Sequence, residues 1–95
     1  MVFVADGARL EGDVELGEGS SVWFNAVLRA EKRIRFGEGC NVQDCAVVHA
    51  DFSDVVVGDN CTLGQGCLVD DSRIGSNSMV GMRALVFGAE LGDNC

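Results

Sequence analysis

This chain contains one histidine, His49, and the residues that could give it chemistry are Arg29 and Asp70. Each of the three directly follows an aliphatic residue of a regular series: Leu28, Val48 and Val69. If that series repeats in space, a cation, an imidazole and a carboxylate stand above one another at strand spacing, close enough to interact. Imidazole is the side chain whose charge changes near neutral pH, so such a set could move a proton or stabilise charge. It could equally be a surface ladder of polar side chains that adds a little stability and nothing more. Asp44 and Gln65 share a neighbouring position, two residues after Val42 and Leu63, and belong to a different face.

The series that would position them runs Val4, Leu10, Leu16, Val22, Leu28, Phe36, Val42, Val48, Val57, Leu63, Val69, Ile74, Val80, Val86, Leu91, with steps mostly of six residues. That period fits neither the 3.6 of an amphipathic helix nor the alternation of one hairpin strand. It is the mark of a hexapeptide β-solenoid, with three hexads to each triangular coil and about five coils in the chain. Glycine often follows the anchor, as at Gly17, Gly37, Gly58, Gly64, Gly75, Gly81 and Gly92, where a corner leaves no room for a side chain. Asn60 and Asn94 suit left-handed corner positions. Residues are gained between Leu28 and Phe36, where Lys32 to Arg35 reads as polar and irregular. They are gained again between Val48 and Val57, where Asp51–Asp54 should form a small outward loop. Insertions in repeat proteins tend to gather on one functional face.

The net charge of −8 argues against nucleic acid, whose binding needs clustered basic side chains. No stretch approaches membrane-spanning length. Cys40, Cys61, Cys67 and Cys95 fall at small inward positions of the repeat, where a free thiol serves as a small hydrophobe. No zinc-type Cys/His spacing exists, and the absence of a disulfide framework points to a reducing cytoplasmic compartment. The last hexad is unfinished at Cys95. Residues 1–95 are therefore expected to be a single hexapeptide-repeat domain lacking the C-terminal part of the full fold.

Particular runs carry a resemblance. Ser21-Val22-Trp23-Phe24-Asn25-Ala26-Val27-Leu28-Arg29, Asn41-Val42-Gln43-Asp44 and Val47-Val48-His49-Ala50-Asp51 resemble successive signatures of the gamma-class carbonic anhydrase family. Leu63-Gly64-Gln65-Gly66 and Ile74-Gly75-Ser76-Asn77-Ser78 continue them in order. The resemblance implies a left-handed parallel β-helix assembled as a homotrimer, with metal held between subunits by three histidines. Its handedness comes from the resemblance alone, because parallel crossovers are ordinarily right-handed. It implies His49 and Asp70 as metal positions from one subunit and Gln65 as the position from the next. Two of the three histidines are thus replaced. Arg29, Glu31, Gln43 and Asp44 fall at the family's supporting polar positions, implied as catalytic, with Glu31 a lengthened acid.

Three imidazoles hold zinc tightly, whereas one nitrogen and two oxygen donors make a harder, weaker set that suits magnesium or manganese better. The site would take zinc or another divalent metal, or none. With no metal, Arg29 facing Asp70 could close it as a salt bridge. Three functions follow as expectations. The first is a carbonic-anhydrase-like trimer with a degenerate interfacial site and weak or no hydration of carbon dioxide to bicarbonate. The second is a non-catalytic assembly scaffold, and the third a hexapeptide acyltransferase with His49 as general base.

Overall fold

A computed structural model describes residues 1–95, which wind into a β-solenoid made entirely of parallel strand pairs. The first face stacks β1 (Phe3–Val4), β3 (Ser21–Val22), β5 (Asn41–Val42), β8 (Thr62–Leu63) and β11 (Met79–Val80). Two long strands, β2 (Arg9–Leu16) and β4 (Val27–Phe36), bend around a corner and serve both other faces. The front half of β4 pairs with β6 (Val47–Ala50), followed by β9 (Leu68–Asp70) and β12 (Leu85–Phe87), completing the second face. Its back half pairs with β7 (Val55–Val57), followed by β10 (Arg73–Ile74) and β13 (Glu90–Leu91), completing the third. Val4, Val22, Val42, Leu63 and Val80 lie in register, which makes four turns and a fifth carried on to Leu91. No helix is present that could cross a membrane.

The anchors point inward because hexad spacing returns every sixth side chain to the axis. Val22, Leu28, Val42, Val48, Leu63 and Val69 are completely buried. The stretch Lys32–Arg35 is irregular only at Lys32; Arg33–Arg35 continue the strand despite their polarity. Only Glu31 and Lys32 bulge out, Asp13 pairs with Arg33, and Ile34 is fully buried above Val55. A third-face β-branched residue two before the anchor fills the place that a small residue takes elsewhere.

The small inward residues do more than fill space. Ser20 and Ser78 donate their hydroxyls to the carbonyls of Gly37 and Gly92, at 3.1 and 3.0 Å. Cys40 and Cys61 donate their thiols to those of Gly58 and Gly75, at 3.0 Å each. These four residues form one column, each tying its corner to the glycine of the next coil. The glycines are required by crowding: a β-carbon at Gly58 would stand 2.7 Å from the Ser76 nitrogen and 2.8 Å from its Cα.

Positive φ falls later in the corners, at Asn25, Asn60, Asn77 and Asn94, and also at Cys45 and Arg83, which tolerate it less readily. The shortened hexads after Val69 and Val86 are absorbed by Asp71 and Gly88, at φ 51° and 57°. Asp71 has a second task. Its Oδ1 accepts the backbone N–H groups of Asp51, Phe52 and Ser53 at 2.8, 3.1 and 3.3 Å, which fixes the outward loop that follows β6.

Two outcomes follow. Gly58→Ala should lower stability by about 1–3 kcal/mol, read as a reduced urea midpoint, because the neighbouring backbone cannot yield. Burial acts to raise the Asp71 carboxyl, but the donors from Phe52, Ser53 and Asp51 outweigh it and hold the group below its ordinary 3.8. Its stabilising contribution is therefore present above pH 3.8 and fades as pH falls through the lower folded value. Asp71→Asn should lower the Tm at neutral pH and lose that difference in strong acid, as thermal melts across pH would record.

Candidate metal centre

The second face turns two columns of side chains outward. One is apolar from its second rung onward: above Arg9, the residues Val27, Val47, Leu68 and Leu85 lie in register. The other holds the residue after each anchor and reads Glu11, Arg29, His49, Asp70 and Phe87. The third face carries ion pairs of its own, Arg35 with Asp13 at 3.0 Å and with Glu15 at 3.6 Å, and Arg33 with Asp54 at 3.3 Å.

Arg29, His49 and Asp70 occupy successive rungs, so His49 separates the outer two. The expected Arg29–Asp70 salt bridge does not form for this reason. Arg29 pairs with Asp51 at 3.7 Å, and the Asp51 carboxylate also lies 3.9 Å from His49 Nδ1. One ligand atom each from His49, Asp51 and Asp70 fall within 4.8 Å of one another, all partly buried. Asp51 was missed as a site residue because the extra length after Val48 reads as an outward loop. The signals that could have placed it are its position two after His49 and the carboxylate pair Asp70-Asp71 opposite.

Asp70 Oδ1 is buried and accepts no hydrogen bond. Burial, followed by the nearby Asp71 and Asp51 charges, pushes its carboxyl above the ordinary range, and His49 offsets this only in part. A carboxylate so placed is relieved by a proton or by a cation. The cluster's one imidazole and two carboxylates fit a divalent cation of the oxygen-preferring kind better than they fit a three-nitrogen zinc site.

The other site residues lie elsewhere. Gln43 and Asp44 follow β5 at the corner between the first and second faces, Gln43 donating to Asn41 Oδ1 at 3.3 Å. Gln65 is exposed one rung on from Asp44, in an open cleft of about 270 Å³ shared with Cys45, Gly66, Met82 and Arg83. Glu31 projects from the bulge into solvent and belongs to no ion pair of the chain. Within one chain Gln65 and Asp44 therefore sit at one edge of the second face, and His49, Asp51 and Asp70 at the other.

Similarity to known proteins agrees with this fold. The family model described as "Hexapeptide repeat of succinyl-transferase" matches residues 54–70 and 72–95. A probable carbonic anhydrase of Methanocaldococcus jannaschii is 42% identical over 90% of this chain and 55% of its own length. The mitochondrial gamma carbonic anhydrase 2 of Arabidopsis thaliana is 36% identical over 90% of this chain and 34% of its own. A solved hexapeptide transferase family protein from Anaplasma phagocytophilum superposes with a TM-score of 0.66 at 32% identity, over 97% of this chain and 66% of that one. The chain spans about half the length, or less, of these curated relatives. With the solenoid, its register and these likenesses in agreement, the chain is a hexapeptide-repeat protein similar over most of its length to gamma-class carbonic anhydrases.

Proposed function

We propose that this protein is a carbonic-anhydrase-like trimer whose interfacial metal site has degenerated, leaving weak or no hydration of carbon dioxide. The observation that supports it is the second face. Its outward apolar column is suited to burial against another copy, and it runs beside a cluster that keeps one histidine of three. In this reading the edge of one copy's face, bearing His49 and Asp70, meets the neighbour's edge bearing Gln65. His49, Asp70 and the neighbour's Gln65 would hold a divalent metal there, which would supply Lewis acidity for activating water.

The chain's own residues account for the weakness. Carboxylate donors place negative charge where the family uses neutral imidazole, and the Gln65 amide is a poor ligand. Arg29 supplies positive charge for holding bicarbonate, although Asp51 already engages it. Gln43 and Asp44 orient polar groups at the facing edge, and Glu31 can exchange protons with solvent. The same Arg29–Asp51 pair favours a second reading, a non-catalytic scaffold, because it neutralises Asp51 without any ion. Likeness to hexapeptide transferases keeps the acyltransferase reading testable through acetyl-coenzyme A binding.

The full chain should sediment as a trimer, and Leu68→Asn combined with Leu85→Lys should give monomers. Gln65→His with Asp70→His should raise zinc affinity by at least ~100-fold and bring hydration activity above that of the starting protein. Trimers that gain neither zinc nor activity would sink the interfacial site. Strong hydration by the unaltered protein would sink its degeneracy.

A further inference from the structure

The cluster beside β6 contains a donor that does not need a neighbouring copy. We propose that His49, Asp51 and Asp70 of a single chain form a mixed imidazole–carboxylate site for a manganese(II)-class divalent cation. The inference rests on the metal-site reading above, but it makes Asp51, not Gln65, the third donor.

Four observations carry it. The three ligand atoms already lie within 4.8 Å of one another. Donors held ~2.1 Å from one ion stand at most ~4.2 Å apart, so only a small closure is needed. Asp70 Oδ1 is buried beside the cluster with no donor. An acceptor left in that state is costly unless something positive reaches it.

The loop that carries Asp51 is fastened rather than loose. The Asp51 backbone N–H donates to the Asp71 carboxylate at 2.8 Å, while its side chain faces His49 and Arg29. Its placement is therefore set before any ion arrives. Lastly, Asp51, Asp70 and Asp71 outnumber the single permanent cation Arg29, whose 3.7 Å contact with Asp51 is loose enough to yield.

The donor set also selects the ion. Two carboxylate oxygens favour hard cations, and one imidazole nitrogen favours a transition metal over calcium or magnesium. Manganese(II) satisfies both. Asp71 acts here as a positioning residue, through the loop.

The test is manganese(II) alone, titrated into the full chain and followed by loss of the free-ion electron paramagnetic resonance signal. One ion per chain is expected. Asp51→Asn, Asp70→Asn and His49→Ala should each weaken binding by at least ~10-fold, whereas Gln65→Ala should weaken it far less than Asp51→Asn does. The monomeric Leu68→Asn/Leu85→Lys variant should still bind. Circular dichroism would verify that each variant keeps its β-structure, and Asp51→Asn, being isosteric on a surface loop, should fold. No binding by the folded protein would overturn the proposal, as would full affinity in Asp51→Asn or a loss in Gln65→Ala matching that in Asp51→Asn. A trimer that hydrates carbon dioxide yet ignores Asp51→Asn would defeat this inference and spare the reading above. A monomer that binds manganese through Asp51 would do the reverse.

Discussion

Backbone hydrogen bonds between like positions of successive coils hold the whole structure in place. Ala5 N–H donates to Val22, Trp23 to Val42, Gln43 to Leu63 and Gly64 to Val80, all at 2.8–2.9 Å. Each strand residue therefore pairs through its backbone with its own equivalents one coil above and below. Core, corners and surface all become columns. A valine column gives the core, an asparagine and glycine column gives the corners, and the column after the second-face anchors gives the candidate metal centre. Stability in such a stack is a sum of neighbour terms, so a fault at one rung is felt mainly by the adjacent rungs.

The columns also explain how the site could change while the fold stayed intact. A side chain that points outward from a hexad lies outside the core, so exchange among histidine, aspartate and glutamine there leaves the core packing intact. The expense appears locally, as an orphaned carboxylate oxygen on Asp70 and a shared Arg29–Asp51 contact. A corner sets the complementary restriction. Asp71 can serve as an anchor for the Asp51–Ser53 backbone because its left-handed conformation turns its carboxylate towards that loop.

Sequence alone made the solenoid legible, since Val4 to Leu91 state the period directly, and the period is a property of single residues. It also placed Arg29, His49 and Asp70 on one ladder, because register follows from counting. Counting fails where chain length changes. Ile34 hides among charged residues because a two-residue bulge restores the alternation only after Lys32. Asp51 belongs to a loop whose path depends on a positive φ in a different coil, and nothing near Asp51 announces that dependence. The thiols of Cys40 and Cys61 read as filler because their acceptors lie one coil away.

Those thiols have another consequence. Cys40 is buried in one coil, and Cys61 and Cys67 at two corners of the next, whereas Cys45 and Cys95 are open to solvent. Burial raises the Cys40 thiol and lifts Cys67 to about 11, so neither reacts readily while its coil is closed. A thiol-alkylating reagent therefore meets a chain marked at intervals, and the order in which those marks are consumed records the sequence in which the stack unwinds.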